Sequence, residues 1–239
     1  MLYLFRKVLI VIWLVISCLV VLPICFILPF RPSNGRRFTK LFSPLSQWIL
    51  GYEQEVHGID KVLNLEKGII LASHQDSLDL IVYGGLINDK MVTIGKKQIK
   101  WIPFFGQVYW LSDHLLIDRS NRRRAVATIE RAVEKIHQKG YVVWIMPEGT
   151  RSRGKGLQKF KKGAFHLALQ AKLPLYPVVF TSINKALDFN KWNAGKIEVD
   201  FLDPIETSKY DADSMEELMS VCYEKMSEAI ERLDSRIKG

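Results

Sequence analysis

Cysteine is scarce: of 239 residues only three are cysteines, with Cys18 and Cys25 inside an apolar run and Cys222 in a predicted helix. Three unpatterned thiols give neither a disulfide framework nor a metal-ligand spacing, and they suit a reducing compartment. No G-x-S-x-G nucleophile elbow and no G-x-G-x-x-G dinucleotide fingerprint occur, so covalent serine catalysis is not indicated. Internal repeats, low-complexity tracts and interdomain linkers are missing as well. Long hydrophobic runs are limited to one, which excludes a polytopic membrane protein. With 48% apolar and 25% charged residues, intrinsic disorder and collagen-like structure are excluded too.

Acidic residues are outnumbered by basic ones, 25 against 34, a net charge of +9. Such a balance implies an anionic partner: nucleic acid, a membrane surface or a phosphorylated ligand. The excess is confined. Residues 96–162 hold 16 Lys/Arg against 5 Asp/Glu, whereas the remainder holds 18 against 20.

Residues 8–30 carry no charged side chain and are bracketed by Arg6, Lys7 and Arg31. Twenty-three helical residues would cross a hydrocarbon layer of about 30 Å, but Pro23 and Pro29 interrupt the run, and Val8–Leu22 alone reaches only about 22 Å. Leu41, Leu45, Trp48 and Ile49 then share one helical face. Two short apolar helices dipping into one leaflet, with Arg31, Arg36, Arg37 and Lys40 at the headgroups, is one reading; a single spanning helix is the other. Both put the rest of the chain on the cytoplasmic face, because more cations follow the run than precede it. The apolar run is too long, and lacks the small-x-small ending, for a cleaved signal peptide. Residues 1–51 are therefore expected to form a helical membrane anchor and residues 52–239 one α/β domain.

In that domain, short apolar runs alternate with amphipathic stretches, as in α/β folds. Strands are predicted at Gly68–Ala72, Met91–Ile94, Leu115–Ile117, Tyr141–Met146, Leu175–Phe180 and Ile197–Phe201, and helices over 77–87, 121–138 and 161–171. Ser120 is the candidate N-cap of the second helix and Gly140 its stop. A last helix is predicted from Ser214, with Glu217 completing a capping box, to about Ile237.

Four stretches at predicted strand ends could carry chemistry. In Ser73-His74-Gln75-Asp76-Ser77-Leu78-Asp79, a helical turn could return the Asp79 carboxylate to His74, fixing its tautomer and leaving the other nitrogen as a base. The plainer alternative is a surface histidine and a helix-terminal aspartate. Lys96-Lys97 precedes the aromatic segment Trp101–Gly106 and reads equally as a solvated pair. Asp118-Arg119 ends a strand, where a guanidinium suits a phosphate unless Arg119 pairs with Asp118 or another acid. Pro147-Glu148-Gly149-Thr150-Arg151-Ser152 opens a glycine-rich, cationic loop fit to cradle an anion. Its near-match to a nucleotide P-loop fails at Gly156, where magnesium binding requires Ser or Thr. No third metal ligand lies near His74, so no metal is expected.

In order, His74-x4-Asp79, Leu116-Ile117-Asp118-Arg119, Pro147–Ser152 and Leu173-Pro174-Leu175-Tyr176-Pro177-Val178 resemble the four motifs of the glycerolipid acyltransferases. The likeness is greatest to bacterial members acting on lysophosphatidic acid, and it covers nearly the whole chain. It implies a single mixed-sheet α/β domain flanked by helices behind an N-terminal anchor at the inner membrane. It implies His74 as general base, Asp79 as its orienting partner, and a phosphate site of Arg119, Glu148, Gly149, Thr150 and Arg151, with Lys96 added. Pro177 falls in a motif tied to acyl-donor binding or to packing. The donor would be acyl-CoA or acyl carrier protein, with no cofactor and no nucleic acid. Ser73 and Met146 stand where Asn and Phe are common. Other lysophospholipids, glycerol phosphate, or a non-catalytic basic module remain as alternatives.

Overall fold

The structure, a computed structural model, describes residues 1–237; the last two residues of the 52–239 domain lie outside the described residues. In chain order the elements are α1 (Leu2–Ile27), α2 (Pro32–Leu50), β1 (Tyr52–His57), α3 (Asp60–Leu63), β2 (Gly68–Ala72) and α4 (Asp79–Val82). There follow β3 (Met91–Lys96), α5 (Phe105–Leu111), β4 (Leu115–Ile117), α6 (Arg122–Lys139), β5 (Val142–Ile145), α7 (Gly163–Ala171), β6 (Leu175–Phe180), α8 (Ile183–Ala186), β7 (Gly195–Phe201) and α9 (Met215–Arg236). Short 3-10 turns cover Gly84–Leu86 and Lys97–Trp101.

The seven strands form one mixed sheet in the order β1-β7-β6-β2-β5-β3-β4. From β6 to β4 every pairing is parallel, while β7 runs antiparallel to β6 and parallel to β1. The central strand β2 is buried at all five positions, as expected of a parallel strand covered on both faces. Helices α6, α7 and α9 bury one face of the sheet with residues such as Ile136, Phe165 and Leu233. The other face lies under α1, α2, α4 and α5, where Phe38, Phe42, Val82 and Val108 meet Ile70 and Trp144. The parallel strands therefore end together on one edge, the edge where such sheets place ligands.

Several local expectations are corrected. β1 was not foreseen: Tyr-Glu-Gln-Glu-Val-His lacks a strand's apolar signature because it is an edge strand whose Glu55 pairs with Lys196 of β7. The helix expected over 77–87 divides into α4 and a 3-10 turn. Asn121, not Ser120, caps α6, its side chain accepting from Arg124 N at 3.0 Å, while Ser120 turns to Asp118. Gly140 ends α6 at φ 62°, as expected. The Ser214 capping box does not form, because the Ser214 hydroxyl donates to Asp211 at 2.8 Å.

Nor does Pro23 break the first helix, which runs for 26 residues, about 39 Å. It is long and apolar enough to cross a membrane. Both of its ends are held against the α/β domain. Buried Arg6 donates to the carbonyls of Phe189, Lys191 and Trp192 at 2.8–3.0 Å. At the other end, Asn34 bridges Leu28 O and Leu111 O at 2.7 and 3.2 Å. Most of the outer face, including Leu4, Val8, Ile12 and Leu19, is exposed.

Candidate active site

The segment after β2 turns sharply into α4, and this turn closes the His74-x4-Asp79 pair. His74 Nδ1 lies 2.5 Å from Asp79 Oδ2. The same carboxylate accepts from Gln75 N at 2.9 Å and Asp76 N at 3.0 Å. Burial raises the Asp79 pKa above the ordinary carboxylate range, while His74 and the backbone donors pull it back. An ionised Asp79 carboxylate accepts from all three neighbours, an arrangement that requires the imidazole proton on Nδ1 and leaves Nε2 its lone pair. The His74 side chain is 21% exposed and that of Asp79 only 3%. The pair thus sets a buried carboxylate behind a partly exposed imidazole.

Glu148 faces inward. It is 1% exposed, and its two oxygens accept from His74 N at 2.6 Å and from Gln158 N at 2.8 Å. It thus ties the histidine's backbone to the loop after β5. Two more bonds zip these segments, Ser152 N to His74 O at 2.9 Å and Arg153 N to Gln75 O at 3.0 Å. The Ser152 and Arg153 amides of the expected anion cradle are thus engaged by the neighbouring loop. Burial pushes Glu148 up to about 7 from 4.5. Between those values the folded state holds a proton that the unfolded chain has lost, so stability falls as pH rises through that window. Glu148→Gln should remove this slope, although it sets an amide against a backbone donor and lowers stability overall. Urea unfolding at about pH 5 and about pH 7.5 checks this: the wild type should lose more stability between them than the variant. Equal slopes contradict the up-shifted carboxyl.

Asp118 does not take Arg119. It binds Lys97 at 2.8 Å and Arg124 at 3.4 Å, and the Lys97 hydrogen bond leads in holding its carboxyl well below the usual range. Arg119 is instead free to cross to the Gly149 carbonyl, which accepts from Nη1. Gly149 takes φ 67° and uses its own N–H on Met146 O. Its contribution is the left-handed turn and the carbonyl that aims Arg119. Thr150 and Arg151 are exposed beside it, and Lys96 is exposed at the end of β3. Neither Lys96 nor Arg151 makes an ion pair among the described residues.

Lys161 was missed by the sequence reading. Its N–H donates to Pro147 O at 2.8 Å, and its stem and Arg119 flank Gly149 so closely that a Cβ there would lie 3.4 and 3.2 Å from them. The only signal was the Lys159-Phe160-Lys161-Lys162 run before an apolar helix. Gln75 was read only as part of the first motif; its amide reaches Phe180 O and accepts from Ile183 N, locking the loop after β6. The fourth motif does not join the site, since Leu175, Pro177 and Val178 are buried in β6 against β2. Among the described residues no group of three or more His, Cys, Asp or Glu could hold a metal.

A family model described as Acyltransferase matches residues 53–181. The chain is 36% identical over 237 residues to the 1-acyl-sn-glycerol-3-phosphate acyltransferase of Salmonella typhimurium, covering 99% of this chain and 96% of that one. It is 33% identical to the protein of the same name from Haemophilus influenzae, covering 99% and 98%. The crystal structure of the 1-acyl-sn-glycerophosphate (LPA) acyltransferase from Thermotoga maritima superposes with a TM-score of 0.75, covering 97% of this chain and 94% of that one. At 22% sequence identity that last likeness is one of fold.

Proposed function

The chain belongs to the acyltransferase family, and on that premise we propose that it transfers an acyl chain from a thioester to the sn-2 hydroxyl of 1-acylglycerol-3-phosphate, yielding phosphatidic acid. The observation that carries this is the His74–Asp79 contact of 2.5 Å beside a rim of cations. His74 Nε2 takes the hydroxyl proton as the oxygen attacks the thioester carbonyl. The tetrahedral intermediate then expels the thiolate, which recovers the proton from the imidazolium. Asp79 steadies the charged ring, and Glu148 holds its backbone. No acyl-enzyme is needed: Ser73 is buried against Tyr83 at 3.0 Å, and burial pushes the Cys222 thiol up to about 12.

Arg119, Arg151 and Lys96 hold the acceptor's phosphate, with Lys161 joining Arg119 at Gly149. Thr150 lines the same rim, while Glu148 and Gly149 serve it by shaping the loop. Acyl-CoA or acyl carrier protein supplies the acyl group, and no cofactor takes part. The α1–α2 pair enters one leaflet at the cytoplasmic face of the inner membrane, since a helix tied to the domain at both ends lies along the surface rather than through it. Arg119→Lys should raise the KM for the acceptor several-fold with little change in kcat, because a point charge replaces a fork. An unchanged KM moves the phosphate site elsewhere. The test of the function is acyl transfer by the purified full chain from either donor to lysophosphatidic acid; absence of phosphatidic acid with both donors defeats it.

A further inference from the structure

Away from α1, three exposed large apolar side chains cluster on one turn. The segment from Lys97 to Phe104 presents Trp101, 79% exposed, with Ile102 and Phe104. Trp110 of α5 stands beside them, and Lys100 Nζ lies over both indoles, 5.9 Å from the Trp101 centroid and 5.6 Å from that of Trp110. Phe30, from the link between α1 and α2, meets Trp110 edge-on at 5.1 Å. The patch is therefore continuous with the exposed apolar face of α1.

This turn is held rigidly. A Cβ on Gly106 would come within 2.4 Å of Lys100 O, and one on Gly95 within 2.5 Å of the Tyr109 hydroxyl, so only glycine permits this close seat. Phe104 takes φ 61°, a strained backbone for a bulky residue that aims its ring outward. The turn follows Lys96 at the end of β3, two strand spacings or about 10 Å from β2, on the edge that carries His74.

We infer that this aromatic turn is a second bilayer contact, inserted into an anionic leaflet beside the acceptor site. Exposed indoles with a cation above them match the headgroup boundary, where tryptophan and lysine settle together. Continuity with α1 places both surfaces on the same membrane. The inference rests on the proposed function in one respect: docking the turn sets the phosphate-binding cations at headgroup depth, so a lysolipid is taken without leaving the bilayer.

Two measurements on the full-length chain test it. In vesicles of phosphatidylglycerol and phosphatidylcholine, Trp101→Ala with Ile102→Ala should raise the KM for bilayer-embedded lysophosphatidic acid about tenfold. Turnover of a short-chain, water-soluble lysophosphatidic acid should be unchanged. Separately, brominated phosphatidylcholine should quench tryptophan emission, and less so in Trp101→Phe. Equal quenching in wild type and Trp101→Phe overturns the inference, as does an equal loss on both acceptors or concentration-dependent dimers abolished by the same substitutions. Quenching needs no catalysis, so a wild type that acylates neither acceptor defeats the proposed function and leaves the membrane contact to be judged by the lipids alone.

Discussion

His74→Ala should lower kcat by at least about 10²–10⁴ while the protein keeps its unfolding transition and its membrane association. The imidazole is the base of the proposed reaction, and it contributes little else: its ring is 21% exposed and its one side-chain partner is Asp79. Removing it leaves Asp79 with the two backbone donors of Gln75 and Asp76, so the turn into α4 survives. Circular dichroism and steady-state acyl transfer on the same preparation check this. Near-normal turnover by a folded variant would remove His74 from the chemistry.

Asp79→Asn should lose about 10²–10⁴ in kcat as well, with a smaller effect on the KM for the acceptor. Both carboxylate oxygens accept hydrogen bonds, Oδ2 from His74 and Gln75 and Oδ1 from Asp76. An amide must set its NH2 against one of those donors. At Oδ2 it drives the imidazole proton onto Nε2, the nitrogen that must be free; at Oδ1 it leaves a backbone N–H unmet, costing about 1–3 kcal/mol of stability. Because the two residues act as a unit, the double variant should be little worse than His74→Ala alone. Multiplying losses in the double variant would show independent roles.

The His-Asp pair was legible because both residues sit on one short turn after a strand, where a spacing of five fixes their approach. Arg119 was legible as a cation, but its partner was not: Asp118 adjoins it in sequence, yet the strand's alternation sends the acid to Lys97 and the arginine across to Gly149. Glu148 shows the limit most clearly. A carboxylate among arginines reads as part of a charged rim, whereas its two acceptor sites are filled by amides 74 and 10 residues away along the chain. Such long-range closure leaves no mark on local pattern. β1 escaped notice for a different reason: an edge strand pairs on one side only, so its exposed glutamates mask the alternation. Ser120 and Ser214 failed as caps because a neighbouring aspartate offered each hydroxyl a charged acceptor.

The central claim is that His74 serves a phosphate-held glycerol hydroxyl, and it is tested most directly by the acceptor. The measurement is kcat/KM of the wild-type chain, with one acyl thioester, for lysophosphatidic acid and for the matching monoacylglycerol presented in the same vesicles. Loss of the phosphate should cost about 10²-fold or more, the worth of an unpaired cationic site. Monoacylglycerol acylated as fast as lysophosphatidic acid would contradict the account.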